Sequence, residues 1–311
     1  MMHDISIIIP VLNEEESLNE LIDQLDELVN RMDEKSIEII FIDDGSNDNT
    51  NGIIAKKTKD KDYIKLITLI RNFGQTAAIS AGIDNSNGKV LITMDSDLQN
   101  SCSDIPKLIK ELDKGYDVVS GWRKERRDGF FTRVLPSKIA NWIISKISGV
   151  HLHDYGCTLK AYRKEILEGV KLYGEMHRFI PIYIYWQGGR ITEMPVAHNY
   201  RKYGKSKYGL SRTFSVIADL ILLKFMEKQL SHPIHLFGGF AILNFFLSII
   251  CFLLMLYFKY SGQKTFIETP LPELVILFIM VGVLSLFMGF IAEILMRTYF
   301  ESQDRKSYSI K

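Results

Sequence analysis

Three cysteines among 311 residues, Cys102, Cys157 and Cys251, form no C-x-x-C pair and leave an odd thiol, so neither a disulfide scaffold nor a structural zinc site is expected. A reducing compartment is the natural setting for such a chain. Charge of one sign is also lacking. The 38 Lys+Arg against 37 Asp+Glu leave a formal net charge of +1, which gives no global pull toward nucleic acid and confines any basic work to local patches. Glycine is missing where a dinucleotide-binding fold needs G-x-G-x-x-G: the first apolar run ends in Pro10-Val11-Leu12-Asn13-Glu14, so NAD or FAD binding is not expected. The run itself, Ile5 to Leu12, is too short for a signal-peptide core and has no basic flank, so no cleaved export segment is expected there. Internal repeats and low-complexity linkers are absent.

The scarcity of charge is sharpest late in the chain. Residues 235–296 carry five charges, Lys259, Lys264, Glu268, Glu273 and Glu293, and His235 to Phe258 and Leu274 to Ala292 carry none. Each uncharged run is about long enough to cross a ~30 Å hydrocarbon core as a helix, which predicts two transmembrane helices rather than a buried core hairpin. Arg201, Lys202, Lys205, Lys207 and Arg212 precede the first run, and Arg297, Arg305 and Lys306 follow the second. The positive-inside rule then places both termini on the cytoplasmic side of the plasma (inner) membrane.

Upstream, short β-branched runs alternate with helical patterns. Asp4 to Pro10, Ile37 to Ile42, Ile64 to Ile70, Lys89 to Met94 and Asp117 to Ser120 read as strands. Leu18, Leu21, Ile22, Leu25, Leu28 and Val29, then Ile105, Leu108, Ile109 and Leu112, recur at helical spacing. This alternation implies an α/β domain with a mostly parallel, Rossmann-like sheet, whose ligands gather at the carboxyl ends of the strands. Residues 123–138 turn basic. The following helix pattern, Ile139, Trp142, Ile143 and Ile147 with Lys138 and Lys146, fits either a helix lying on an anionic membrane or one packed on the sheet. A second amphipathic stretch, Phe214 to Leu230, leads into the apolar zone and is expected at the interface. The expected divisions are 1–122 for the core of the α/β domain, 123–230 for its remainder with interfacial helices, 231–297 for the two membrane helices and 298–311 for a cytoplasmic tail.

The chemistry-bearing residues sit at strand ends. Asp43-Asp44-Gly45-Ser46 follows the second strand; its acids can accept hydrogen bonds from a base N–H and ribose hydroxyls, and the same tetrapeptide also serves as a turn and helix cap. Asp95-Ser96-Asp97-Leu98-Gln99 ends the fourth strand. Alternation in extended chain sends both carboxylates to one side, where their repulsion is relieved by a divalent cation bridging to a diphosphate. Ahead of the apolar zone, Arg201, Lys205, Ser206 and Lys207 supply three charges and a hydroxyl in a loop-like stretch, a cradle for a phosphate at the bilayer surface or a plain positive-inside anchor.

Together with Arg71-Asn72-Phe73-Gly74-Gln75, the segment His153 to Arg163 (H-D-Y-G-C-T-L-K-A-Y-R) and the segment Arg201 to Gly209 (R-K-Y-G-K-S-K-Y-G), these motifs resemble the family-two glycosyltransferases of GT-A fold over essentially the whole chain. More narrowly, the chain is similar to the polyisoprenyl-phosphate glycosyltransferases, the relatives of dolichol-phosphate mannose synthase and of bactoprenol glucosyltransferases. One departure is Ser96, where alanine is commoner. The resemblance implies that Asp44 holds the nucleotide, that Asp95, Asp97 and Gln99 surround Mg²⁺ or Mn²⁺ and the sugar diphosphate, and that Asp154 faces the reacting centre. It puts Pro10, Asn13, Glu14 and Asp43 on the nucleotide side, with Asn13 and Glu14 either beside the nucleotide or as turn residues. Arg71 contacts the donor or pairs with a carboxylate. Arg178 joins the acceptor phosphate, and Arg123 and Arg127 assist it or touch lipid headgroups.

The activity so implied is inverting transfer of one sugar, UDP-glucose being the favoured donor, to undecaprenyl phosphate at the cytoplasmic face, by a homo-oligomer and with no nucleic-acid partner. Two rivals are weighed. A processive polysaccharide synthase would carry Q-x-x-R-W and further spans, and none of Trp122, Trp142 and Trp186 is preceded by Arg. A non-catalytic membrane-anchored nucleotide-binding scaffold would not need Asp44, Asp95, Asp97 and Asp154 together.

Overall fold

The computed structural model describes residues 3–124, 135–167, 170, 172, 174–200, 202–203, 233–262 and 264–302. Two compact units divide the chain, 1–221 and 222–311. In the first, seven strands among the described residues form one sheet: β1 (His3–Val11), β2 (Ile37–Asp43), β3 (Ile64–Thr68), β4 (Gly88–Thr93), β5 (Val118–Trp122), β6 (Lys160–Arg163) and β7 (Ile191–Pro195). Their order is β3-β2-β1-β4-β6-β5-β7, and all pairings are parallel except those of β6, which runs antiparallel to β4 and β5. The α-helices among its described residues are α1 (Leu18–Arg31), α2 (Thr50–Asp60), α3 (Gln75–Asp84), α4 (Ile105–Leu112), α5 (Leu135–Ser148), α6 (Lys164–Leu167) and α7 (Ile180–Trp186).

The unbroken isoleucine runs of β1 and β2 follow from burial of both sheet faces. Ile5, Ile7, Ile9, Val11, Ile37, Ile39 and Phe41 pack into one layer under α1 and α4, while Ile8, Ile40 and Ile42 enter the opposite layer with Ala78, Ile180 and Ile184. Helix α1 buries Leu18, Leu21, Ile22, Leu25 and Leu28, the stripe its spacing predicts, each worth about 1.5–3 kcal/mol of transfer free energy. All five expected strands form, with ends shifted by up to two residues. Strands β6 and β7 are additions, short and carrying Lys160, Arg163 and Glu193, which hid them from a hydropathy pattern. Antiparallel β6 makes the mostly parallel sheet a mixed one. In α5, Ile144 is buried whereas Trp142 is exposed with Lys146 above its ring; Trp186 Nε1 donates to Ser148 O at 3.1 Å, tying the helix end to α7. The stretch 214–230 lies outside the described residues.

The second unit contains two apolar helices, Pro233–Tyr260 and Leu271–Ser302, whose stretches Ile234–Tyr260 and Leu271–Leu295 are long and apolar enough to cross a membrane. They pack antiparallel: Phe237 meets Gly289, Phe245 meets Gly282, and Ser248 Oγ donates to Val275 O at 3.3 Å. Among their polar side chains Asn244, Ser248 and Ser285 are buried, whereas Phe240, Phe246, Phe287 and Ile291 are exposed.

At the amino ends of the central strands, opposite the carboxyl edge, a polar network crosses the sheet. Ser6 Oγ donates to Glu38 Oε1 at 2.6 Å and accepts from Gly88 N at 2.7 Å, while Lys65 and the Asn87 amide donate to the same carboxylate. Burial alone would raise the Glu38 carboxyl; the hydrogen bonds from Lys65, Ser6 and Asn87 and the Lys65 charge outweigh it and hold it below the ordinary 4.5. A depressed carboxyl contributes stability above its unfolded value and loses it as pH falls through its folded value. Glu38→Gln is therefore expected to lower stability at pH 7 by about 1–3 kcal/mol and to flatten the acid limb of the stability curve below about pH 4.5, as read by thermal unfolding across pH.

Candidate active site

The carboxyl edge of the sheet is organised by backbone amides gripping acids. Asp43 closes β2, buried, with Oδ1 accepting from Ser46 N at 2.9 Å and Oδ2 from Asn51 Nδ2 at 3.0 Å. Asp44 is also buried, and its two oxygens accept from Phe73 N at 2.8 Å and Gly74 N at 2.9 Å. The Arg71 to Gln75 loop is thus fixed by an acid 30 residues earlier. Gly45 is required between them: it holds φ +76°, and a Cβ there would lie 2.6 Å from the Arg71 carbonyl carbon.

Asn13 (φ +50°) and Glu14 belong to this zipper. Asn13 N donates to Ser46 Oγ at 2.9 Å, Asn13 Oδ1 accepts from Asn47 N at 2.8 Å, and Glu14 N donates to Thr50 Oγ1 at 2.9 Å. These bonds tie the loop after β1 to the Asp43–Thr50 segment after β2. Pro10, within β1, is half-buried. Arg71 is exposed, its guanidinium 4.6 Å from the centre of the Phe73 ring.

The D-x-D segment follows β4. Leu98 turns through φ +62°, a conformation costly for a branched residue, with its side chain buried in the core. That turn sets Gln99 N donating to Asp97 Oδ1 at 3.1 Å. Asp95 accepts from Gln75 Nε2 at 2.8 Å and from Thr158 Oγ1 at 2.6 Å. Burial pushes the Asp95 carboxyl up to about 6, and the neighbouring Asp97 charge adds to the rise. Gln99 O accepts from Asn199 N at 2.9 Å, which brings the chain after β7 onto this loop.

Because β6 runs antiparallel, the residues before it, not after it, reach the carboxyl edge, and these are His153 to Leu159. Asp154 is buried and bidentate with Arg123: Nε to Oδ2 at 2.7 Å and Nη2 to Oδ1 at 2.9 Å. Burial works against the Arg123 charge, but the Asp154 carboxylate holds its pKa above the ordinary value. Arg123, expected at the acceptor phosphate, thus directs two of its nitrogens to Asp154. Beneath them Lys160, also buried, donates to the carbonyls of Tyr155, at 3.2 Å, and Cys157; burial lowers it to about 8. Arg178 lies 3.4 Å from Glu175, and the adjacent His177, which the sequence left without a role, is buried with Nδ1 2.6 Å from Thr76 Oγ1. Arg127, Arg201, Lys205, Ser206 and Lys207 lie outside the described residues.

Gln75, Thr158 and Lys160 are site residues that sequence reasoning missed. Gln75 and Thr158 stand inside quoted motifs, but their partner lies 20 and 63 residues away, beyond any local pattern.

The sequence profile described as glycosyl transferase family 2 matches residues 6–170. The chain belongs to glycosyltransferase family 2. Family membership extends beyond the profile: a dodecaprenyl-phosphate galacturonate synthase from Rhizobium johnstonii is 39% identical over 99% of this chain and 92% of its own. An undecaprenyl-phosphate 4-deoxy-4-formamido-L-arabinose transferase from Pseudomonas aeruginosa is 35% identical over 99% of this chain and 89% of its own. Among solved structures, glucosyl-3-phosphoglycerate synthase from Mycobacterium tuberculosis, in complex with Mn²⁺, UDP and its product, aligns with TM-score 0.53 at 16% identity, over 72% of this chain and 80% of that one. A mannosyltransferase from Pyrobaculum calidifontis bound to GDP-mannose and Mn²⁺ gives 0.52 at 18%, over 73% and 64%. At such identities the likeness concerns the fold, which is GT-A.

For this family-two enzyme the Asp44 grip yields a direct test. Asp44→Asn keeps the shape but sets an amide donor against one of two N–H groups, a conflict worth about 1–3 kcal/mol. Hydrogen–deuterium exchange is expected to show lost protection at Phe73 and Gly74, with the sheet amides unchanged.

Proposed function

We propose that this glycosyltransferase moves one sugar from a nucleotide diphosphate sugar to a polyprenyl phosphate, undecaprenyl phosphate being the acceptor to test, at the cytoplasmic face of the membrane. The observation that carries the reading is the joint presence, in a chain matched end to end by two relatives named for polyprenyl-phosphate sugar transfer, of an acid-lined strand edge and two helices able to span a bilayer. The donor is water-soluble and the acceptor is a lipid, so the enzyme needs both parts.

The acceptor nucleophile is a phosphate monoester. With a second pKa near ~6 it is already largely dianionic at pH 7 and needs no strong base. Its oxygen attacks the anomeric carbon from the side opposite the leaving group, the bond from that carbon to the donor's β-phosphate oxygen breaks, and the nucleoside diphosphate departs, with inversion. Asp154, engaged by Arg123, suits orientation better than proton removal. The basic stretch Arg201, Lys205, Ser206 and Lys207, with Arg178 and Arg127, aims the acceptor phosphate.

Asp95 and Asp97 offer hard carboxylate oxygens, and Gln99 an amide oxygen, on one loop. No cluster of three His, Cys, Asp or Glu groups at metal spacing occurs among the described residues. That donor set fits Mg²⁺ or Mn²⁺ held by one or two carboxylates, its remaining ligands coming from diphosphate and water. Bound there, the cation would offset negative charge on the departing diphosphate. The relatives' names specify galacturonate and 4-deoxy-4-formamido-L-arabinose, so UDP-glucose is one donor in the test rather than the presumed one.

Purified protein in nanodiscs, given undecaprenyl phosphate, Mg²⁺ or Mn²⁺ and a panel of nucleotide sugars that includes glucose, galacturonate and formamido-arabinose donors, is expected to yield a single-sugar lipid phosphate by mass spectrometry. No product with any donor, and no nucleotide binding, overturns the reading. The mass of the same particles tests the expected homo-oligomer. Asp97→Asn is expected to cut turnover at least 100-fold in a folded, membrane-bound protein; near-normal turnover removes the metal role.

A further inference from the structure

Asp95 is held from two sides by side chains that neither the family match nor the relatives assign a task. Gln75 Nε2 donates to Oδ1 at 2.8 Å, and Thr158 Oγ1 donates to Oδ2 at 2.6 Å. The donors come from different parts of the fold. Gln75 opens α3 and follows directly on the two amides that Asp44 grips, while Thr158 stands before β6 in the segment that carries Asp154. Neither donor is loosely placed. Thr158 Oγ1 accepts from Asn100 Nδ2 at 3.2 Å, which directs its one hydroxyl hydrogen toward Asp95, and Thr158 O accepts from Thr93 Oγ1 at 2.7 Å.

A carboxylate with one donor on each oxygen cannot rotate about its Cβ–Cγ bond without breaking one of the two hydrogen bonds. We infer that Gln75 and Thr158 are positioning residues that fix the plane of the Asp95 carboxylate, so that it and Asp97 together receive the divalent cation. The inference rests on the metal-assisted reading above. It also joins the halves of the site: the loop gripped by Asp44 and the segment anchored by Arg123 meet on the same carboxylate.

The test measures the cation itself. Full-length protein is titrated with Mn²⁺ in the presence of UDP and, in a parallel series, GDP, and free Mn²⁺ is read by electron paramagnetic resonance. Partners that orient a metal-binding carboxylate typically change affinity 10- to 100-fold, so Gln75→Leu and Thr158→Val are each expected to weaken Mn²⁺ binding by about 10-fold or more, and Thr158→Ser to stay within about threefold of wild type. Thermal midpoints of the variants are measured alongside. If Thr158→Val does not fold, Gln75→Leu, at a half-buried helix start, carries the test alone. Wild-type Mn²⁺ affinity in the folded Leu and Val variants overturns the clamp and leaves the metal reading standing. No Mn²⁺ binding by the wild-type protein with either nucleotide overturns the metal reading, and the clamp with it.

Discussion

Repulsion between carboxylates gathered at an apolar sheet's edge is the constraint around which this catalytic unit is arranged. Asp43, Asp44, Asp95, Asp97 and Asp154 converge on one edge of a sheet whose faces are lined with isoleucine, an environment that opposes negative charge. They persist there because donors from other segments hold them: amides of 73 and 74 on Asp44, Asn51 and the Ser46 amide on Asp43, a bidentate guanidinium on Asp154. Loops that would otherwise wander are drawn in by the acids they neutralise. The order of the loops and the charge of the site are thus one phenomenon, and at Asp95 burial, with the Asp97 charge added to it, raises the carboxyl to about 6.

A second division concerns solvent. The first unit hides its isoleucines between sheet and helices, while the second leaves Phe240, Phe246, Phe287 and Ile291 exposed and buries Asn244, Ser248 and Ser285 between its helices. That inversion is what a hydrocarbon environment selects, since polar side chains there need partners within the hairpin and apolar ones do not need shelter. An averaged composition conceals both halves, with 47% hydrophobic residues and near-neutral charge.

What the sequence made legible divides along similar lines. Strands β1 to β5, α1, α4 and the two apolar helices were readable because each buries a periodic or continuous apolar surface. Strands β6 and β7 were not, because four or five residues with charges give no periodicity, and an antiparallel insertion between β4 and β5 has no local signature. The acids of the site were readable from type and position at strand ends. Their partners were not: nothing in a run of basic residues distinguishes Arg123, which turns inward to Asp154, from its neighbours, and nothing beside Gln75 points to an aspartate 20 residues on. Acids announce themselves, whereas the geometry that holds them depends on contacts closed only by the fold.

The reversed strand also imposes an order on biosynthesis. Strands β1 to β4 can pair as they leave the ribosome, each beside a neighbour already made, but β5 finds its place only through β6. Until Arg163 has emerged, Asp95 lacks Thr158 and Arg123 lacks Asp154. The nascent chain therefore presents an incomplete site edge for a limited interval. That interval closes before the first apolar helix begins at Pro233, so a folded catalytic unit can precede membrane insertion.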